Sequence, residues 1–405
     1  MKSIELKEDT FFDTSVGKLK FAKGSKISFY NNGNICEGRL AENQVVSTPV
    51  GELKFIGGIA ISYLAFHENG VIKEGMLAED QEILTPVGKL TFAKNSNVVF
   101  YDNWVVEFGG LAKPSAITTS VGKLEFITIL FHKNGNIRGG ILATPSEFSI
   151  PIGKFKLKSI LFYENGKIEN VILAEPYIIE ISGEKFETKE MNFYESGKIR
   201  SINLEIPQEI PTPLGKLKFD KNTYLSFYEN GRIKGGKLAE NLYIKTLVGE
   251  LKIRNIYFYE NGEIKECGLA EAQIVNTPVG KLKFAADSYI FEIFEDGVLK
   301  DLENKQTFYG PVIGRLKLSF YENGEIKGGI FVEPQIVSTP SGNFKLSDIY
   351  FYKNGNIKAG MFYQNPLDNA SENTINGVKF KSGDLIGWDE QGNFVGKMMY
   401  EDIIT

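Results

Sequence analysis

The sequence predicts an all-β fold, an elongated antiparallel β-repeat array of stacked, solenoid-like hairpins with about twelve repeats of ~31 residues. Three observations carry that expectation. Leu-Ser-Phe-Tyr-Glu-Asn-Gly-Arg-Ile-Lys at 225–234 recurs in close copies centred on Gly33, Gly70, Trp104, Gly135, Gly166, Gly197, Gly231, Gly262, Gly297, Gly324, Gly355 and Gly392. Positions six and four before the centre and two after it, such as Leu225, Phe227 and Ile233, are apolar in every copy, which marks one buried strand face. Helix signals are nearly absent, since no stretch of about 12 residues joins helical apolar spacing to a cap.

Local chemistry justifies each element in turn. A two-residue Asn-Gly turn would set Phe227 opposite Lys234 and mix polar with apolar residues on both faces. A three-residue loop with Gly231 in the left-handed conformation pairs Phe227 with Ile233 and Ser226 with Lys234, and only this register separates the faces. A second turn alternates with the first, clearest as Thr-Pro-Val-Gly at 48–51, 85–88 and 277–280, where proline and glycine suit a tight reversal. Lys-Leu-Lys-Phe or a relative follows, as at 18–21 and 216–219, and reads as a half-buried strand. The leg from first to second turn is nearly constant, whereas the return leg mostly varies in steps of three residues. A glycine five after the centre, as at Gly38, Gly75, Gly140, Gly236 and Gly329, accompanies a change of apolar phase, so a bulge or bend is expected beside it. Such bends would fold each leg over a face that a single-layer sheet would leave wet.

Composition narrows the function classes. The 405 residues carry a formal charge of -5, with 24% charged and 42% hydrophobic residues, an ordinary soluble balance that disfavours nucleic acid as main partner. No apolar run is long enough for a transmembrane segment. The first residues lack a signal-peptide core, so the expected location is cytoplasmic, although a secreted chain with its signal removed would read the same. The repeats predict a single β-repeat domain over 1–405, with 1–33 as first repeat and cap and 356–405 as an irregular last repeat and cap, interrupted by an insertion at 366–371. A parallel β-helix would stack Glu164, Glu195, Glu229 and Glu260 at about 4.8 Å, which disfavours it. A β-propeller stays open as an alternative, although the repeat is short for a four-stranded blade.

The hairpin Phe-Tyr-Glu-Asn-Gly-x-Ile-Lys resembles the membrane occupation and recognition nexus (MORN) repeat, especially its bacterial antitoxin-annotated variant. The likeness covers about eight residues of each copy. It implies successive antiparallel hairpins laid side by side into a curved sheet.

Chemistry offers few candidates. His67 and His132 occupy the position three before the centre that is Tyr in most copies, and read as aromatic replacements. The carboxylates recur at fixed offsets, as on a solvated edge. Cys36 and Cys267 form neither a disulfide framework nor a metal-spaced pair, and no metal-ligand cluster, phosphate loop or dinucleotide fingerprint is legible. No catalytic residue, metal or cofactor is therefore expected. Basic residues three after the centre, including Lys73, Arg138, Arg200, Lys234, Lys265, Lys300, Lys327 and Lys358, are expected to be offset by the nearby Glu column. The candidate binding stripe is the aromatic column Tyr30, Tyr101, Tyr163, Tyr194, Tyr228, Tyr259, Tyr321 and Tyr352, pointing away from the Phe/Ile face. The expected function is a non-enzymatic scaffold for protein–protein interaction. The alternative is a carbohydrate- or cell-surface-binding protein using that stripe, and a third is a hydrolase with a carboxylate pair. The partner is thus an unknown protein or a glycan.

The register makes a direct prediction. In denaturant melts Phe227→Ala should cost about 3–5 kcal/mol by opening a core cavity, and Gly231→Val about 1–3 kcal/mol through its positive φ. Tyr228→Ser should cost least, and a Tyr228 loss equal to that of Phe227 would place the Tyr column in the core.

Overall fold

The computed structural model describes residues 2–286, 291–293, 298–301, 306–309, 317–364, 373–375, 377–399 and 403. The ninth centre Gly297 with its neighbours Phe294 and Glu295, the second-turn Gly314 and the insertion at 366–371 lie outside the described residues. Every named element is a β-strand, joined to its neighbours in antiparallel register, so the expected all-β, antiparallel hairpin-repeat fold is the one the chain adopts. Among the described residues no helix is long and apolar enough to cross a membrane. The chain divides into two compact units, Met1–Ile178 with Thr188–Arg200 and Ile179–Glu187 with Ser201–Thr405.

In the second unit the loop after Tyr224–Phe227 shows how one repeat turns. Gly231 has φ +82°, its N–H donates to the Tyr228 carbonyl at 2.9 Å, and the Tyr228 N–H donates to the Arg232 carbonyl at 2.9 Å. This is the three-residue loop, and it recurs at the other described centres. Trp104 adopts the same left-handed backbone, with φ +68°, and its ring sits 5.9 Å from that of Phe100.

Register departs from expectation one step further on. Phe227 pairs with Ile233 as expected, but Ser226 pairs with Gly235, leaving Lys234 as the extra residue of a bulge. The same shift follows the other loops. Apolar phase therefore changes at a bulge two residues before the glycine at the fifth position. That glycine has a different physical reason. A Cβ on Gly38 would lie 2.5 Å from Ile27 and 2.6 Å from the Phe21 ring, and one on Gly75 would lie 2.6 Å from Phe55. The position is a seat for the phenylalanine that ends the Lys-Leu-Lys-Phe strand.

A wider irregularity folds the second hairpin over the core. Gly110 pairs with Thr128, yet the next pair is Ser115 with Phe126, and equivalent jumps occur at Ile141/Ser146, Lys237/Leu242 and Ile330/Gln335. Along Gly122–Phe131 the buried residues accordingly switch phase, from Leu124 and Phe126 to Ile129 and Phe131. Both halves of the leg thus face the core of their own unit, and within the second unit the rings of Phe186 and Phe227 meet at 5.6 Å and those of Phe344 and Trp388 at 5.2 Å. Each such buried phenylalanine contributes about 1.5–3 kcal/mol of transfer free energy.

The steps of three in the return leg also acquire a cause. Short legs are continuous strands, as in Gly122–Phe131, Gly153–Phe162 and Gly249–Phe258. Legs three residues longer insert one tight turn with a left-handed residue, Gly24, Asn95 or Asn222. The N–H of that residue donates to Leu6, Leu77 or Leu204 of the preceding leg at 2.7, 2.9 and 2.7 Å.

One buried carboxyl stands out in the second unit. Asp348 is buried, accepts from the Met361 N–H at 2.6 Å, and burial raises its pKa from 3.8 to about 7 while that hydrogen bond pulls it down. Asn255 fills the equivalent place in an earlier repeat and accepts from the Gly268 N–H at 2.9 Å. Because the folded pKa is raised, the folded state holds the proton longer. The contribution of Asp348 is present in full below its unfolded value and is lost as pH rises towards about 7. Asp348→Asn should remove this slope, so that in urea melts the variant gains on the wild type by up to about 1.4 kcal/mol per pH unit across that window. Parallel curves for the two proteins would refute it.

Candidate binding surfaces

The bulge at Lys234 positions the tyrosine stripe. Between neighbouring repeats of the second unit the backbone ladder ends at Gly235 with Tyr257, at Glu266 with Ser319 and at Gly328 with Tyr350, one residue short of Phe258, Phe320 and Phe351. A strand carbonyl left without a ladder partner needs another donor. Tyrosine hydroxyls supply it: Tyr228 donates to Phe258 at 2.7 Å, Tyr259 to Phe320 at 2.8 Å, Tyr321 to Phe351 at 2.6 Å and Tyr352 to Trp388 at 3.0 Å. In the first unit Tyr30 donates to Phe66 at 2.8 Å, Tyr101 to Phe131 at 3.2 Å and Tyr163 to Phe193 at 2.6 Å. Tyr194 occupies the same place in the Gly197 hairpin, where its N–H closes the loop on Lys198 at 2.8 Å. His67 and His132 are functional replacements within this lacing, with Nε2 2.8 Å from the carbonyls of Phe100 and Phe162, a contact that requires the Nε2–H form.

Burial of the hydroxyls raises the pKa of Tyr101, Tyr163, Tyr259, Tyr321 and Tyr352. Tyr30 is pushed up to about 12 by burial and by the neighbouring Cys36 thiol. These donors therefore keep their protons at neutral pH. The ring faces are also engaged, with Lys234, Lys265, Lys327 and Lys358 ammonium groups 5.6 to 5.7 Å from the centroids of Tyr228, Tyr259, Tyr321 and Tyr352. The bulge puts each lysine there.

Among the described residues no ion pair joins these lysines to the Glu column, part of which is taken up by the next-door asparagines, while Glu322 stays close enough to act on Tyr259. Where asparagine precedes the centre it accepts from its own loop, as Asn230 does from the Arg232 N–H at 2.9 Å. In several copies its amide reaches the next repeat, whereas that of Asn323 donates to Glu325 of its own loop at 2.9 Å. Asn134 donates to the Glu164 carboxylate at 3.4 Å, Asn165 to Glu195 at 2.8 Å and Asn230 to Glu260 at 2.6 Å. Second-turn tips rest on hairpin tips further along. Pro86 packs on Gly135, Pro151 on Gly197 and Pro213 on Gly262, while Ser120 donates to the Gly166 carbonyl at 2.6 Å. Between such tips in the second unit lies a cavity of about 380 Å³, floored by Phe186, Ile210 and Phe227.

Two features escaped the sequence reading. Glutamine eleven after the centre ties adjacent second hairpins that share no ladder with each other. Gln273 accepts from the Lys252 N–H at 2.8 Å and donates to its carbonyl at 2.7 Å, and Gln335 does the same to Lys283 at 3.0 and 2.8 Å. Gln44 and Gln81 repeat the clamp on Lys20 and Lys54. The recurrence of Gln44, Gln81, Gln208, Gln273 and Gln335 at one offset was the signal available. The second feature is apolar exposure on the outer side of those hairpins, at Tyr243 (59% exposed), Ile274 (66%) and Ile336 (70%) in the second unit.

No protein-family profile matches the sequence. No curated protein matches it. Among solved structures the chain is similar to TcdB2-TccC3-TEV (7% identity, covering 97% of this chain and 22% of that one, TM-score 0.12) and to TcdB2-TccC3-Cdc42 (8%, 94% and 23%, 0.13). It is also similar to choline binding protein F from Streptococcus pneumoniae (13%, 78% and 98%, 0.11). The chain thus spans only 22% and 23% of the length of the first two. At such TM-scores the likeness carries no argument.

The lacing predicts a substitution order. Tyr259→Phe should lower stability by about 1–2 kcal/mol by stranding the Phe320 carbonyl, whereas Tyr259→His should keep most of it, because His67 and His132 make the same contact. Thermal and urea melts measure both, and a Phe variant as stable as the wild type would remove the hydroxyl from the account.

Proposed function

We propose that the chain is a non-enzymatic β-repeat scaffold that docks a protein partner on the outer face of its second hairpins. The observation that supports this reading is the apolar row Tyr243, Ile274 and Ile336, each largely exposed. Strand alternation buries Ile244, Val275 and Val337 and turns their neighbours outward. The three residues stand on successive second hairpins of the second unit, held in line by Gln273 and Gln335. Lys252, Lys283 and Lys345 lie directly across the strand from them. Rows of exposed large aliphatic side chains flanked by charge suit the centre and rim of a protein interface. A complementary partner presents apolar side chains alternating with carboxylates. The resemblance to the MORN repeat covers the first hairpin and not this row, so the reading rests on the row alone.

Replacing the row tests it. The triple variant Tyr243→Thr, Ile274→Thr, Ile336→Thr should melt within about 1 kcal/mol of the wild type, since the lost side chains are exposed. It should also lose a partner that the wild-type chain recovers from its source cells by cross-linking and affinity capture. Full recovery of that partner by the triple variant would place the interface elsewhere.

A further inference from the structure

We propose that the lysine- and tyrosine-lined outer face of the second unit's first hairpins binds an acidic polysaccharide carrying one carboxylate or sulfate per disaccharide. This surface is distinct from the apolar row on the second hairpins, and either can fail without the other.

Four ammonium groups form the track, those of Lys234, Lys265, Lys327 and Lys358, each fixed over the tyrosine ring of its own hairpin. None of the four is in a salt bridge among the described residues, unlike Lys237 and Lys252, which pair with Asp220 and Glu271 at 3.3 Å. Lysines at this density sense one another: the pKa of Lys327 is lowered by burial first and then by Lys358 and Lys265. The first unit has no such track, because the equivalent places hold Cys36, Lys73, Glu107, Arg138, Glu169 and Arg200, of mixed charge. Beside the first two lysines the face opens into a hollow of about 430 Å³ lined by Tyr224, Ser226 and Tyr257 and reaching Lys317. The Lys317 side chain is 6% exposed, with its ammonium 2.7 Å from Glu266 and 3.6 Å from the Tyr257 ring centroid. Glu266 is thus already neutralised, and the hollow keeps the positive charge of Lys234 and Lys265.

Spacing selects the polymer. Successive hairpins are two strands apart, so the ammonium groups repeat at roughly 10 Å, about the length of one disaccharide in an extended glycan. An extended acidic peptide presents side chains on one face every ~7 Å and falls out of step. Single-stranded nucleic acid is held by bases stacked on open aromatic faces, and here those faces lie under lysines.

The full-length chain titrated with hyaluronan oligosaccharides, which carry one carboxylate per disaccharide, provides the test. Saturable binding that weakens with added salt is expected, with an affinity loss of about tenfold or more for Lys265→Gln with Lys327→Gln. Lys216→Gln with Lys218→Gln, on a second hairpin of the same unit, should leave binding within about twofold. Lys265→Gln alone, at an exposed position, serves if the double variant does not fold. Absence of hyaluronan binding would overturn the proposal, as would equal binding of neutral dextran or indifference to Lys265 and Lys327. Tighter binding of polyglutamate, of a single-stranded oligonucleotide or of anionic vesicles with the same lysine dependence would also reject a polysaccharide as the ligand.

Discussion

One extra residue per hairpin, Lys234 in the repeat centred on Gly231, is the constraint on which the other features depend. It cannot join the ladder within its own hairpin, where Ser226 pairs past it to Gly235. Nor does it join the ladder to the next repeat, which stops at Gly235 with Tyr257. The Phe258 carbonyl beyond that stop would be a buried acceptor without a donor, a costly arrangement. Tyr228 resolves it with a hydroxyl 2.7 Å away, and the displaced Lys234 covers the same ring. The bulge also resets the apolar phase, which brings Gly236 onto the core face beneath the Phe219 ring.

Seen this way, most recurring polar residues of the hairpin hold one repeat to the next. Tyrosine or histidine donates to a phenylalanine carbonyl, asparagine reaches the following glutamate, and glutamine clamps the backbone of the neighbouring second hairpin. Individually such bonds contribute about 1 kcal/mol. Repeated from copy to copy within each unit, they make the interface between neighbouring repeats a sum of similar small terms, as in other repeat proteins. The lysine track of the first hairpins and the apolar row of the second, on which the two proposals rest, lie outside this lacing.

The candidate stripe shows why recurrence alone is a weak guide to binding. Tyr30, Tyr163, Tyr228, Tyr259 and their counterparts do share the outer face, as alternation requires. Their hydroxyls, however, are spent on the carbonyls of Phe66, Phe193, Phe258 and Phe320. The exposed Ile274 and Ile336 were written in the same repeats, but a sequence that places apolar residues on both sides of a strand does not say which side meets the core.

By itself the sequence determined the hairpin loop, the all-β class and the identity of the buried Phe/Ile columns. These follow from glycine at a left-handed position and from period-two alternation, which act within a few neighbouring residues. Only the tertiary structure decided the bulge, the ring seats over Gly38 and Gly75, and the partners of the tyrosines. The reason is physical separation along the chain: the donor Tyr259 and the acceptor Phe320 stand 61 residues apart, and no local propensity specifies a contact that exists only once two repeats lie side by side.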